Sequence, residues 1–298
     1  MPFTALKQYL FKVYFKTFEA EVFDRGAQVA FYFSFSLFPL LFFLVSLFGI
    51  VLESSEGLRN ELFDYLFKIM PGSAYNLVRR TVDEIVDSSS TGKLTIGLSI
   101  TLWSASVGID SLRNALNAIY GLKETRPYWR TKIESLVVTL IFIIITTALL
   151  AIIFFGWQLI QTGLHGLGFP VASPVILIGI QWLSIILMML FACEVVYNLI
   201  PNFPSFRWYW ITRGSVVAII LWLILSSGFR LYLEFFNTYN RTYGSLGAVI
   251  VLMLWLYLTA IGILIGGVIN SVDTDASVKE NDPPEEPDSE DRLPVQAS

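Results

Sequence analysis

The sequence predicts an all-α, polytopic membrane protein with six transmembrane helices, an N-terminal interfacial helix and an extracytoplasmic helical hairpin. Composition is the first reason. Of 298 residues, 55% are hydrophobic and 15% charged, against roughly 45–50% and about 25% in a soluble domain. The mean hydropathy of +0.64 is the second. The third is the arrangement of the apolar residues, which come in runs long enough to cross a bilayer, a task that takes about 20 residues.

The elements follow in order. In residues 1–26, Phe3, Leu6, Leu10, Val13, Phe18 and Val22 recur at spacings of three to five, with Lys7, Lys12 and Lys16 largely off that stripe. This is the pattern of an amphipathic helix lying on a membrane surface and feeding a span. The first long apolar run begins only at Ala27, so the start does not read as a secretory signal.

Five runs are of spanning length: Ala27–Leu52, Ser135–Ile160, Val171–Leu199, Arg213–Phe235 and Gly244–Asn270. A sixth, Leu94–Ile109, is uncharged but has only 16 residues. Its Gly97, Ser99, Ser104, Ala105, Ser106 and Gly108 suit a helix buried among others. It is taken as the second span, with a re-entrant segment as the alternative.

Residues 53–93 carry two helical repeats, Leu58/Leu62/Leu66/Ile69 and Leu77/Val78/Val82/Ile85/Val86, separated by Pro71-Gly72. They predict a helical hairpin on the outer side. Asp83, Glu84 and Asp87 there read as a solvated face rather than a cation site. Residues 271–298 hold nine acids, two bases, four prolines and no aromatics, the composition of a disordered tail. The formal charge of −4 is therefore a property of the tail, since the other 270 residues carry 18 bases and 15 acids.

Orientation follows from Lys and Arg. With the N-terminus inside, 13 lie in inner segments and 7 in outer ones, which puts both termini in the cytoplasm and favours an even number of spans.

One cysteine (Cys193) and one histidine (His165) exclude an intramolecular disulfide framework, a multi-Cys/His zinc site and a paired-histidine metalloprotease. His165 lies in a Gly-rich loop with no nucleophile-elbow sequence to serve it. No metal, no cofactor, no enzymatic activity and no nucleic-acid partner are expected.

Charged groups within spans cost about 2.5–3.5 kcal/mol each on insertion scales, which makes the ones present candidates for function. Arg25, Asp110, Arg113, Glu194 and Asn270 belong to the cytoplasmic half, and Arg230 and Glu234 to the outer half. Glu194 sits roughly 8–9 Å inside its span at 1.5 Å per residue, with no base within a turn. Such a set suits a polar cavity whose arginines hold an anionic headgroup; the alternative is that each acid neutralises a neighbouring base and locks helices together. Pro39 removes a backbone donor mid-span and predicts a kink. Ser104-x-x-x-Gly108 and Gly262-x-x-x-Gly266 allow close helix approach, within the chain or in a homo-oligomer.

Three stretches resemble the YihY / virulence factor BrkB family of bacterial inner-membrane proteins. They are Arg25-Gly-Ala-Gln-Val-Ala-Phe-Tyr-Phe-Ser-Phe-Ser-Leu-Phe-Pro39, Trp103-Ser-Ala-Ser-Val-Gly108 with Ala115-Leu-Asn-Ala-Ile-Tyr120, and Tyr243-Gly-Ser-Leu-Gly-Ala-Val-Ile250 with Leu254-Trp-Leu-Tyr-Leu258. The resemblance implies six spans and cytoplasmic termini. It implies no settled activity: members have been labelled ribonuclease BN, linked to serum resistance, or proposed to export lipid. The chain departs from the family pattern at Asn198, where a basic residue is usual, and at Val268, where an acid is usual, so a mechanism needing that acid does not fit.

The leading expectation is a transporter or flippase-like protein for an amphipathic anionic, lipid-like substrate, with membrane lipids as partners. A non-transporting scaffold or envelope-assembly protein is the alternative, and a membrane-associated ribonuclease comes last, since it would need clustered His or carboxylate ligands.

Overall fold

A computed structural model describes residues 3–53, 79, 91–166, 174–204, 208–235 and 245–281. The described residues form seven helices: α1 (Phe3–Glu19), α2 (Val22–Glu53), α3 (Thr91–Ile119), α4 (Tyr128–Gly166), α5 (Pro174–Leu199), α6 (Arg213–Phe235) and α7 (Ser245–Asn281). Four of them contain stretches long and apolar enough to cross a membrane: Tyr128–Ile153, Val175–Leu199, Arg213–Leu233 and Val249–Thr274. The hairpin expected at 53–93 falls, over 54–78 and 80–90, outside the described residues.

Helices α2 to α7 form a ring in chain order. Each packs on the next, α7 closes back onto α2, and α7 also touches α3. Helix α1 lies outside the ring against α7 and α2. The core is formed by Val29 of α2, Leu112, Leu116 and Ile119 of α3, Val195 of α5, and Ala260, Leu264 and Val268 of α7. The outward faces stay apolar: Val175, Ile176, Trp182, Leu183 and Leu187 of α5 are all exposed. An exposed apolar face of this extent suits lipid rather than water.

Two boundaries shift from the sequence expectation. The N-terminal helix ends at Glu19, and Glu21 takes a left-handed backbone (φ 51°) that separates it from α2. Residues 22–26 therefore open the long helix that follows. Its stripe also divides: Leu6, Leu10 and Phe18 are exposed, whereas Val13 faces the core and Val22 is buried. At the other end, α7 continues to Asn281, past the expected boundary at 271. The acidic average of 271–298 conceals a first turn that packs: Ser271 and Val272 are buried, and Ser271 donates to the Ile119 carbonyl at 3.2 Å. Residues 282–298 lie outside the described residues.

Polar contacts set the helix spacing. Gly108 N–H donates to Ser36 Oγ at 2.9 Å, joining α3 to α2. Gln181 of α5 donates to the carbonyls of Ile152 and Ile153 on α4, at 2.9 and 3.2 Å. Helix α3 ends in a Schellman turn: Gly121 (φ 66°) donates to Ala118 and Leu122 to Asn117. Helix α2 is continuous across Pro39, which leaves the Phe35 carbonyl without its usual helical donor.

A close backbone approach joins α6 and α7. A Cβ added at Gly214 would collide with the Gly266 carbonyl, and one added at Gly266 would strike the Tyr197 hydroxyl and the Gly214 carbonyl. The Gly262-x-x-x-Gly266 face thus serves an internal contact. Gly266→Ala should destabilise the protein by about 1–3 kcal/mol, the usual cost of overpacking. Gly179→Ala, where an added Cβ meets nothing within 4 Å, should leave the thermal midpoint in detergent unchanged or slightly raised.

Candidate functional site

The polar chemistry gathers at the end of the bundle where α3, α5 and α7 finish and α2, α4 and α6 begin. It forms two clusters and one cavity.

The first cluster centres on Glu194 of α5, only 1% exposed. Its carboxylate accepts from the Thr212 N–H at 2.7 Å, the Thr212 hydroxyl at 3.1 Å and the Asn198 amide at 3.0 Å. Thr212 is the N-cap of α6, its hydroxyl accepting from the Ser215 N–H at 3.2 Å. The acid thus sits at a helix N-terminus, where the aligned peptide dipoles favour negative charge. Asn198, one turn beyond Glu194, exchanges hydrogen bonds with the Tyr209 backbone at 3.0 and 3.2 Å. Asn270 of α7 completes the cluster: its amide donates to Thr212 Oγ1 at 3.0 Å and its carbonyl accepts from Gly214 N–H at 2.8 Å. Among the described residues, the hydrogen-bond partners of the Glu194 carboxylate are neutral.

The second cluster joins α3 to α4. Asp110 accepts from Arg113 Nη1 at 3.0 Å, from Lys132 Nζ at 2.8 Å and from the Ser135 hydroxyl. Arg113 and Lys132 are each 3% exposed. Lys132 also lies 4.8 Å over the Trp103 ring. The connection between α3 and α4 continues the network. Arg126 pairs with Glu124 at 2.8 Å and with Glu134, and Arg130 pairs with Glu134 at 3.2 Å. Asn117 donates to Glu124 at 3.1 Å and accepts from the Asn202 N–H at 2.8 Å. The hydrogen bonds from Arg126 hold Glu124 down at about 2, against an ordinary 4.5.

A cavity of about 710 Å³ opens between α1, the end of α3 and α7. Lys12, Phe15, Lys16 and Glu19 line one wall, with Tyr120, Gly121 and Val272 opposite. Beyond it, Phe11, Tyr14, Phe15 and Phe18 form an exposed aromatic stripe on α1.

The sequence candidates are thus distributed. Asp110 and Arg113 share one cluster, and Glu194 and Asn270 share the other. Arg25 caps α1, its Nε donating to the Ala20 carbonyl at 3.0 Å and its guanidinium pairing with Glu21 at 3.4 Å. Arg230 is exposed on α6, well along from the N-terminus that meets Glu194; the side chain of Glu234 lies outside the described residues. Lys132, Ser135 and Thr212 were not singled out from sequence, and Asn198 stood out only as a departure from the family pattern. Asn198 at i+4 from the baseless Glu194 was the available signal.

The profile of the virulence factor BrkB family matches residues 13–291. The chain belongs to that family. Among BrkB-type relatives, a ribonuclease-like protein of Bacillus subtilis, YfkH, is 30% identical over 251 residues, covering 84% of this chain and 89% of YfkH. UPF0761 membrane proteins of Xanthomonas campestris and Xanthomonas axonopodis are each 26% identical over 265 residues. That alignment takes in 84% of this chain but only 57% of each Xanthomonas protein. No solved structure matches the chain.

Two outcomes follow for this BrkB-family site. Glu194→Leu strands the Thr212 N–H and hydroxyl, which both donate to the carboxylate. It should cost about 2–4 kcal/mol in reversible unfolding from mixed micelles, since each buried unpaired group costs about 1–3 kcal/mol. Glu124, with its pKa depressed, contributes stability that is fully present above about 4.5 and fades as pH falls toward about 2. Amide exchange in residues 120–127 should therefore accelerate across that window, and Glu124→Gln should flatten the dependence.

Proposed function

We propose that this BrkB-family protein is a transporter or flippase-like carrier for an amphipathic anionic substrate, with a phospholipid as the type case. It crosses a bacterial inner membrane six times, with both termini in the cytoplasm and an outer hairpin over 53–93. It moves its substrate without a reaction of its own. The supporting observation is the cavity under α1, whose lysines and phenylalanine match the charged head and apolar body of such a molecule. Two lysines one turn apart on a membrane-surface helix attract inner-leaflet headgroups by about 1 kcal/mol each. The ring of helices beyond offers an apolar outer surface along which acyl chains can stay in lipid.

A second reading, a non-transporting scaffold, has one observation in its favour. The Glu194 cluster is satisfied within the chain and ties α5, α6 and α7 together, as a static brace would.

Reconstitution separates the two. Purified protein in liposomes should carry fluorescent phosphatidylglycerol between leaflets faster than protein-free vesicles do. Lys12→Gln/Lys16→Gln should lower the initial rate by about tenfold or more, in line with two lost headgroup attractions. Lys7→Gln, off the cavity, should not. Transfer at the protein-free rate would rule out the carrier and leave the scaffold.

A further inference from the structure

Arg113 lacks a partner where an arginine is best able to hold one. Its Nη1 bonds to Asp110, but Nε and Nη2 are buried and no described residue bonds to either. Those two nitrogens form the side-on fork of a guanidinium. They present parallel N–H groups that match two oxygens of a carboxylate or phosphate. A fork left empty in a buried site costs the desolvation of both donors.

Charge counting points the same way. Asp110 is the carboxylate shared by Arg113 and Lys132, both buried. The neighbouring acids are already engaged: Glu124 by Arg126, and Glu134 by Arg126 and Arg130. The triad therefore carries one uncompensated positive charge. Water would satisfy the hydrogen bonds but not the charge. Asp110, the shared carboxylate, has a side chain that is 32% exposed, so the triad borders the surface on that side.

We infer that the Nε/Nη2 edge of Arg113 is a binding site for one oxyanion group, the phosphate of a lipid headgroup or of a free phosphate ester. This deepens the reading of an anionic substrate and rests on it for the ligand's identity. Binding is measured without any transport step, so either can fail alone.

The test uses the full-length protein, purified in neutral detergent and stripped of lipid. Thermal midpoints are read with inorganic phosphate against chloride at matched ionic strength. They are also read in nanodiscs of phosphatidylglycerol against phosphatidylcholine. The wild type should gain at least about 3 °C from one of the two anions, as a ligand that binds only the folded state requires. A gain in both arms assigns a general oxyanion site, and a gain with phosphatidylglycerol alone assigns a lipid headgroup. Arg113→Met should lose the gain. Without anion it should be at least as stable as the wild type, since it removes the uncompensated cation and leaves Asp110 paired with Lys132. Arg113→Lys, which keeps the charge and loses the fork, should keep less than half of the gain. No gain in the wild type, or an equal gain in Arg113→Met, would overturn the site.

Discussion

A carboxylate that is almost wholly buried among apolar helices must be compensated where it stands. Glu194 is compensated by an N-terminal helix end and by neutral donors. Its oxygens collect the Thr212 backbone and hydroxyl and the Asn198 amide. The positive end of α6 replaces the absent base. The consequence is structural. Helix α6 must begin at Arg213, directly after the residue whose N–H the acid needs. Asn270 must lie across Thr212 and Gly214, which brings α7 against α6 closely enough that only glycine fits at 214 and 266. The spacing of three helices follows from one acid.

The Asp110 triad presents the opposite case at the same end of the bundle. There the charges are explicit, two bases to one acid, and one guanidinium edge is left over. A satisfied cluster holds a structure still, and an unsatisfied one favours whatever supplies the missing charge. The cavity under α1 lies against the same end of α3.

Much of this frame was legible in the sequence. The long apolar runs located α4 to α7, since stretches of about twenty mostly apolar residues suit a bilayer crossing. The helical stripe in residues 3–22 announced α1. The break at Glu21 was not legible, because a left-handed Glu has no composition signal of the kind Gly or Asn provides. The extension of α7 to Asn281 was hidden by averaging, because Ser271 and Val272 pack while the residues after them are acidic. At the site, Arg113 and Asp110 announced themselves by an i,i+3 spacing. Lys132 did not, because its pairing with Asp110 spans 22 residues and depends on how α3 and α4 cross. Asn198 looked like the loss of a cation. In three dimensions it is the amide that an unpaired acid requires.

The account depends most directly on the bond between Glu194 and the start of α6. A double-mutant cycle with Glu194→Leu and Thr212→Val, measured as unfolding free energies in mixed micelles, tests it. Direct hydrogen bonding predicts a coupling of about 1–3 kcal/mol between the two positions. Additivity within about 0.5 kcal/mol, the behaviour of residues that do not touch, would contradict it.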